Sequence, residues 1–442
     1  MKTEKREMVK PRTLSGFMEL LPQDQILFNQ VKQVIESTYE EYGFLPLDTP
    51  IIESSEVLLA KAGGETEKQI YRFEKGNHDL SLRFDLTVPL AKYVAAHQGE
   101  LAFPFRRYQI GKVYRGERAQ AGRFREFYQC DIDVIGEGEL SLIHDAELPS
   151  VIYQIFKKLD IGDFTIHINN RKLLNGLFES LDLIEQTTDI MRTIDKIDKI
   201  GEEAVKEELT SFGIEKEKIE TILHFISLRD GIDTTIKTLK EMNIENETFI
   251  KGLDELQEVV KYIRAFGVPD QNFTLDLTIA RGLDYYTGTV YETFLDDYRS
   301  LGSICSGGRY ENLAEYYTKQ KLPGVGISIG LTRLFYKLQE LNLLKKNKPS
   351  ISQVLVIPAS AEELEKSIEV GSYLRQKQIP TEIYLGDKKL KAKLKYADKL
   401  MVPYIVIIGE SEVQNQTVSL KNMKTGKQQE MSLEEAIEEI QK

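Results

Sequence analysis

Hydrophobic and polar positions alternate with a helical period near the start of the chain. Between Asp24 and Tyr42 the apolar side chains recur every three or four residues. This spacing predicts an amphipathic helix, with Asp24 as its N-cap and Gly43 as its stop. Residues 81–86 predict a strand, and Pro89 suits the first turn of a helix over Thr87–Gln98.

Two runs rich in β-forming residues follow, Phe105–Arg115 and Glu126–Gly136. They predict a long antiparallel hairpin whose connecting loop is dense in arginine. From Arg171 to Ala265 proline is absent and helical charge patterns take over, which predicts a helical insertion. Strand-like sequence resumes at 273–281, and residues 331–343 predict another helix. The pattern therefore divides the first part of the chain into 1–170, 171–265 and 266–343.

A predicted linker over 342–350 precedes a last domain, 352–442. In this domain the predicted strands and helices alternate in the order βαβαβ. Its predicted strands are VLVIP, PTEIYL and YIVIIG, and its predicted helices are Glu362–Lys377 and Asp387–Tyr396. Buried strands that alternate with helices are typical of a mostly parallel sheet covered by helices. The chain as a whole therefore predicts a mixed α and β architecture.

Composition narrows the classes of function. The 442 residues are 41% hydrophobic and 29% charged, which favours packed domains over disorder. The formal net charge of −12 means that any contact with nucleic acid must be a local basic patch. The two cysteines are too few for a disulfide framework and fit a reducing compartment. With no apolar run long enough to span a bilayer, we expect a cytoplasmic protein without membrane contact.

Arginine beside glycine and acid marks several candidate phosphate sites. The arginine-rich segments are Arg115-Gly-Glu117, Gly122–Phe127, Arg281–Tyr286 and Gly307–Tyr310, and Arg333 opens a predicted helix after a glycine-spaced strand. Guanidinium groups bind phosphate oxygens bidentately, and glycine lets the backbone approach a ligand. For any single arginine, surface ion pairing is the simpler explanation. Several together favour a phosphoryl-transfer site built without a Gly-x-x-x-x-Gly-Lys loop, which the chain lacks.

A second group of candidate residues is acidic and aromatic. Gln129, Asp131 and Asp133 alternate along a predicted strand, so their side chains share one face. Asp85 and Thr87 lie at the end of another predicted strand, and Tyr285 and Tyr286 follow Arg281. Buried acids need partners, which could be a bound ammonium, imidazole or amide, or else neighbouring arginines. A lysine-rich helix, Asp387–Lys399, is either a solvated surface or a face that contacts phosphates.

These motifs resemble those of the histidyl-tRNA synthetases, a family of class II aminoacyl-tRNA synthetases. RGLDYYTGTVYE (281–292) and GSICSGGRYENL (302–313) are similar to the two histidine-specific segments. Tyr114–Glu126 resembles class motif 2, GVGISIGLTRL resembles motif 3, and Pro50 matches the proline of motif 1. Phe-Asp-Leu-Thr stands where the best-known bacterial pattern has Pro-Glu-Gly-Thr, and Thr287-Gly288 replaces an Asn-Arg pair.

The resemblance implies a fold and an activity. The catalytic core would be an antiparallel six-stranded sheet with flanking helices, followed by a C-terminal anticodon-binding domain. The enzyme would activate L-histidine with ATP and transfer it to tRNA(His), working as a homodimer through motif 1 and using Mg²⁺ with the ATP.

The resemblance also implies roles for single residues. Arg115 would hold the α-phosphate and the substrate carboxylate, Arg123 would reach the γ-phosphate, and Glu117 would meet the adenine amino group. Adenine would lie between Phe127 and Arg333.

The remaining implied roles concern histidine. Asp85, Thr87 and Gln129 would bind its α-amino group. Asp133 and Tyr286 would bind the two imidazole nitrogens, with Tyr285 beside them. Arg281 would neutralise the α-phosphate, where related enzymes place a metal ion.

The alternatives are proteins that share this core. A histidine-sensing regulatory paralogue of ATP phosphoribosyltransferase would resemble the core, but generally lacks the last domain and tends to lose catalytic arginines. A tRNA-sensing module fused to a kinase would carry kinase motifs, which are missing here. Prolyl, threonyl and glycyl relatives would lack RGLDYY. Retention of Arg115, Arg281 and Arg333 favours the enzyme.

Overall fold

The fold comes from a computed structural model, which describes residues 8–60, 65–118, 122–279, 286–312, 314–344 and 350–442. The strands are β1 Leu45–Pro46, β2 Ile52–Ser54, β3 Arg72–Lys75, β4 His78–Leu82, β5 Phe105–Tyr114, β6 Glu126–Ile135, β7 Phe164–Asn170, β8 Phe273–Leu275, β9 Tyr286–Leu295, β10 Cys305–Tyr310, β11 Gly324–Ile329, β12 Val354–Pro358, β13 Thr381–Ile383, β14 Tyr404–Ile408, β15 Val418–Asn422 and β16 Gln428–Met431.

The α-helices are α1 Pro22–Glu41, α2 Ser55–Leu59, α3 Glu65–Gln69, α4 Thr87–His97, α5 Ile143–Leu159, α6 Arg171–Ser180, α7 Thr187–Ile194, α8 Ile197–Ile200, α9 Glu202–Ser211, α10 Lys216–Ser227, α11 Ile232–Glu241, α12 Glu247–Ala265, α13 Leu331–Glu340, α14 Leu364–Gln376, α15 Leu390–Leu400, α16 Glu410–Asn415 and α17 Leu433–Gln441. No helix in these described ranges has the length and apolar character needed to cross a membrane.

The chain forms two compact units. One contains Val31–Leu343 and the segment that ends at Glu19; the other contains Leu20–Gln30 and the chain from Leu344 onward. The predicted helical insertion, α6 to α12, belongs to the first unit together with the large sheet. Its last helix, α12, packs on α5 and α6.

The large sheet has the order β1-β5-β6-β11-β10-β9-β7-β8. Its six long central strands are antiparallel at every pairing, in the order β5, β6, β11, β10, β9 and β7. The short strands β1 and β8 extend the two edges in parallel. The six-stranded antiparallel core is therefore confirmed, and two parallel edge strands complete a mixed sheet.

The arginine-loop hairpin is confirmed, with Phe105 opposite Ile135 and Tyr114 opposite Glu126. The strand predicted over 81–86 is partly wrong, because β4 ends at Leu82. Beyond it the backbone turns, and the Asp85 carboxylate accepts hydrogen bonds from the N–H groups of Thr87 (3.1 Å) and Val88 (2.9 Å). Asp85 thus satisfies free donors at the start of α4, which is a local reason for the chain to leave the strand.

The second unit contains a five-stranded sheet in the order β13-β12-β14-β15-β16. The first three strands are parallel, as predicted, but β15 and β16 are antiparallel additions that the βαβαβ pattern missed. Apolar residues of β12 and β14 are fully buried between helices on the two faces, for example Val356, Ile357 and Val406. The unit therefore has a hydrophobic core of its own.

Candidate active site

A cavity of about 680 Å³ lies on one face of the large sheet, over β6, β9, β10 and β11. Residues from separate parts of the sequence line it: Asp85, Thr87, Arg115, Glu117, Arg123, Phe127, Gln129, Asp133, Tyr286 and Arg333. The structure thus gathers these predicted site residues in one place. The other two, Arg281 and Tyr285, lie outside the described residues.

One wall of the cavity is acidic. Gln129, Asp131 and Asp133 line the cavity from β6, as their alternation predicts. Room for this wall depends on Gly326, the cross-strand partner of Asp133 on β11. A Cβ atom at Gly326 would lie 2.1 Å from Asp133 Oδ1, so any larger residue would displace the carboxylate.

A buried arginine supports this wall from the neighbouring strand. Arg107 lies opposite Asp133 in the β5–β6 pairing, and its Nη2 is 2.6 Å from Asp133 Oδ2. The hydroxyl of Tyr310 donates to Asp133 Oδ1 at 2.9 Å. Because both carboxylate oxygens have a donor within the protein, the position of Asp133 is fixed before any ligand binds.

Burial dominates the ionisation of these acids. It raises the pKa of Asp131 to about 7 and that of Asp133 to about 6, against the opposing attraction of Arg107. Burial also raises the pKa of Asp85, although hydrogen bonds from the Val88 and Thr87 backbone and the charge of Arg115 act in the other direction. Asp85, Asp131 and Asp133 all line the cavity, and a cation bound among them would favour their charged forms.

Some polar atoms of this wall have no hydrogen-bonding partner in the described part of the chain. They include Gln129 Oε1, Asp131 Oδ1 and the Nε and Nη1 of Arg107. The Gln129 amide is oriented by its own donor, since Nε2 lies 2.8 Å from Ser328 Oγ. Its oxygen and Oδ1 of Asp131 are therefore buried acceptors whose hydrogen bonds no described residue supplies.

The other wall is basic and aromatic. The Arg115 guanidinium lies 5.1 Å from the Phe127 ring centre and 4.3 Å from that of Phe84, and its Nε donates to the Phe84 carbonyl at 3.3 Å. Glu117 and Arg123 form an ion pair in which the arginine side chain is 58% exposed. Arg333 donates to the Leu301 carbonyl. Burial, with the nearby charge of Arg123, lowers the pKa of Arg333.

Sequence reasoning missed some residues of the site and misjudged another. It gave Arg107 and Ser328 no role, although the cross-strand pairing of β5, β6 and β11 puts them beside the acids. Arg309, grouped with the candidate phosphate-binding arginines, instead forms a buried ion pair with Asp145 at 2.6 Å and donates to the Ser141 carbonyl. It is therefore not available to a phosphate.

The prediction made for the lysine-rich helix is also corrected in part. Lys393 is buried, and its ammonium donates to the Pro358 carbonyl at 2.8 Å, so it belongs to the domain core. Lys391, Lys395 and Lys399 are exposed at intervals of four residues on α15. Side chains at this spacing share one helix face, which leaves a lysine stripe of three residues.

Comparison with known proteins agrees with these features. The sequence profile described as histidyl-tRNA synthetase matches residues 16–334, and the profile described as anticodon binding domain matches 353–442. A histidine–tRNA ligase of Clostridium tetani is 61% identical over 99% of both chains. Another, of Finegoldia magna, is 50% identical over 98% of this chain and 100% of its own.

Solved structures show the same relationship. The crystal structure of histidyl-tRNA synthetase from Nostoc sp. PCC 7120 is 42% identical, covers 98% of this chain and 99% of its own, and superposes with a TM-score of 0.91. A Bacillus halodurans structure described as an ATP phosphoribosyltransferase regulatory subunit/histidyl-tRNA synthetase shares the fold, with a TM-score of 0.76, at 20% identity over 91% of this chain and 99% of its own. By its profile match, its near full-length relatives and its fold, the chain belongs to the histidyl-tRNA synthetase family.

Proposed function

We propose that the chain activates L-histidine with ATP to form histidyl-adenylate and then transfers the histidyl group to tRNA(His). The observation that carries the proposal is the division of one cavity into two walls. Buried carboxylates and unpaired acceptor oxygens form one wall, which suits the ammonium and imidazole N–H groups of histidine. Arginines and an aromatic ring form the other, which suits a nucleotide.

In this proposal Asp85, Thr87 and Gln129 bind the α-ammonium group of histidine. The unpaired Oδ1 of Asp131 adds a further acceptor to this subsite. Asp133 and Tyr286 bind the imidazole nitrogens, with Tyr285 beside them. The donors on Asp133 support this role, because Arg107 and Tyr310 hold its carboxylate in one orientation while each oxygen keeps a second lone pair.

ATP binding uses Arg115, Glu117, Arg123, Phe127 and Arg333. Adenine lies between Phe127 and Arg333, with its amino group at Glu117, while Arg123 meets the γ-phosphate. The Glu117–Arg123 ion pair must open for these roles. Ion pairs with an exposed partner are typically worth about 0.2–1 kcal/mol, so a triphosphate can displace this one.

The chemistry then follows from charge. The carboxylate of histidine attacks the α-phosphorus of ATP, the bond to the bridging oxygen of pyrophosphate breaks, and pyrophosphate leaves. Negative charge gathers at the α-phosphate during this step, and Arg115 and Arg281 stabilise it. A ribose hydroxyl of the last nucleotide of the tRNA next attacks the histidyl carbonyl and releases AMP.

Mg²⁺ is proposed as a companion of ATP. The described residues contain no group of three His, Cys, Asp or Glu side chains that could hold a metal. This fits an ion carried mainly by substrate phosphates, as Mg²⁺ commonly is, and not one caged by protein. When bound, it would neutralise phosphate charge.

We divide the chain into a catalytic core of 1–170 and 266–343, a helical insertion of 171–265 and an anticodon-binding domain of 352–442. We also propose a homodimer in the cytoplasm. Support for the dimer comes from the apolar side chains that flank Pro50, since Leu45, Ile51 and Ile52 are 60%, 42% and 48% exposed. Exposed apolar side chains close together in the sequence fit an association surface. A scattering mass that stays at 50.7 kDa at all concentrations would refute the dimer.

The regulatory-paralogue alternative is disfavoured. The domain at 353–442 is present, and the 61% identity over nearly the whole chain is to a histidine–tRNA ligase.

Attachment of labelled histidine to a tRNA(His) transcript tests the proposal. The wild-type chain should charge the tRNA, and Arg115→Ala should lower turnover by about 10²-fold or more, by analogy with the loss of other charge-stabilising donors. Arg281→Ala should do the same. Absence of charging by the wild-type chain would overturn the proposal.

A further inference from the structure

Strand β7 ends where the helical insertion begins, and it pairs with β8, which leads into residues 276–279. Its last residues, Asn169 and Asn170, are both fully buried. Their side chains contact different parts of the protein. The Asn169 amide donates to the Ile279 carbonyl at 3.0 Å, while the Asn170 amide donates to Glu255 of α12 at 2.9 Å.

Asn169 contacts the chain on both sides of residues 280–285. Upstream, its Nδ2 also lies 3.4 Å from the Leu277 carbonyl, besides the bond to Ile279. Downstream, its backbone is paired with Val290 in the β7–β9 ladder. One residue thus bonds to the last described residue before this segment and to the strand that begins with Tyr286 after it.

A second contact of β7 secures the same upstream run. His167 lies two residues before Asn169, so the two side chains share a face of the strand. Its Nδ1 is 2.7 Å from Asp276 Oδ2, and both side chains are buried. The run from Asp276 to Ile279 is therefore held at both ends by β7 side chains, although it forms no strand.

We propose that Asn169 is a positioning residue for histidine activation, in addition to the function proposed above and resting on it. The two N–H bonds of its side-chain amide hold the carbonyls of Leu277 and Ile279. These contacts fix the position of the chain just before the histidine-specific segment. Tyr286 directly follows residues 280–285 and lines the cavity together with the acidic wall. The ATP residues Phe127 and Arg333 lie on β6 and α13 and depend on other contacts.

The matched variants are Asn169→Asp and Asn170→Asp. Both remove an amide donor at a fully buried position of the same strand, and both introduce a carboxylate of nearly the same shape. Asn170→Asp keeps the oxygen that accepts from the Lys172 N–H at the start of α6. Its carboxylate would face Glu255, whereas that of Asn169→Asp would face the carbonyl oxygens of the catalytic side.

Histidine-dependent ATP–pyrophosphate exchange, corrected for the active fraction by active-site titration, tests the proposal. In Asn169→Asp we expect turnover to fall at least about 10-fold and KM for histidine to rise, while KM for ATP stays within about 2-fold. Asn170→Asp should lower the melting temperature but keep turnover and both KM values near wild type. Simple destabilisation would not separate the two KM values.

Asn169→Ala is a second variant in case the aspartate variant does not fold. If the donor bonds matter, the alanine variant should show the same separation of the KM values. Turnover and KM for histidine near wild type in a folded Asn169 variant would overturn the inference, as would equal losses in the Asn169 and Asn170 variants. Failure of the wild-type chain to exchange with histidine would instead overturn the proposed function.

Discussion

Arg107 Nη2 lies 2.6 Å from Oδ2 of Asp133, a residue of the acidic wall, and both side chains are buried. The arginine also lowers the pKa values of Asp131 and Asp133 relative to burial alone. A single cation inside the sheet therefore supports a row of acids that faces the ligand. Without it, the carboxylates would tend to take up protons and lose their attraction for an ammonium group.

Replacement of Arg107 tests this support. Arg107→Met should lower the free energy of unfolding by roughly 3–5 kcal/mol, because it leaves a buried carboxylate without its partner. It should also raise KM for histidine. Arg106→Met is the control, since Arg106 pairs with the half-buried Glu147 and should cost less stability and leave KM unchanged. Chemical denaturation and exchange kinetics give both quantities. Equal effects of the two variants would contradict the role of Arg107.

Asp131 should stabilise the fold at low pH and weaken it at high pH. Its pKa is about 7 in the folded protein, against roughly 3.9 in an unfolded chain. Protonation of Asp131 therefore contributes fully to the stability of the fold below about pH 4. This contribution is lost as the pH rises from about 4 through about 7.

Asp131→Asn removes the buried charge. The ligand-free variant should melt near the wild-type temperature at pH 4 and above it at pH 8, by an increment worth up to a few kcal/mol. Its KM for histidine should rise, because the variant loses a ligand for the ammonium group. Thermal melts at both pH values measure the first effect, with exposed Asp297→Asn as control. A variant less stable than wild type at pH 8 would contradict the account.

Two arginines that look alike in sequence should respond differently. Arg333→Ala should raise KM for ATP about 10-fold or more with little loss of stability, because Arg333 lines the cavity and would stack on adenine. Arg309→Met should lower the melting temperature by leaving Asp145 buried and unpaired, but should not raise KM for ATP in the folded fraction. The opposite pattern would show that the two were assigned wrongly.

The lysine stripe should bind phosphates of tRNA. Replacement of Lys391, Lys395 and Lys399 by glutamine should raise KM for tRNA in charging and leave histidine-dependent exchange unchanged. The salt dependence should weaken, with the slope of log K against log[salt] falling by about 0.7–0.9 for each phosphate that the variant no longer neutralises. A control triple, Lys366, Lys424 and Lys427 to glutamine, should keep the wild-type slope. Equal slopes for the two triple variants would contradict a role of α15 in binding tRNA.

The sequence was most informative where a side-chain period repeats over a whole element. The alternation of Gln129, Asp131 and Asp133 predicts a common face because a strand has a period of two, and the structure has them on one wall. The two long strands of the arginine-loop hairpin are recognisable for the same reason. The short edge strand β1 has too few residues to establish any period, and of the strand-like run 273–281 only β8, Phe273–Leu275, forms a strand among the described residues.

Contacts between residues that are distant in the sequence could not be predicted from it. Arg107 follows another arginine within an alternating strand, and only the register of β5 against β6 reveals Asp133 as its partner. Lys393 belongs to a lysine-rich run, yet its long apolar stem lets it reach the Pro358 carbonyl from a buried position. The strand predicted over 81–86 failed because Asp85 bonds to the start of α4, a local competition that hydrophobicity does not report.

The most direct test of the central claim is ATP–pyrophosphate exchange measured with each of the twenty amino acids. The acidic wall and Tyr286 are proposed to satisfy both the ammonium and the imidazole of histidine, and a site of this kind can reject analogues that lack the group by about 10⁴-fold or more. Histidine alone should therefore support exchange. Comparable exchange with any other amino acid, or none with histidine, would contradict the account.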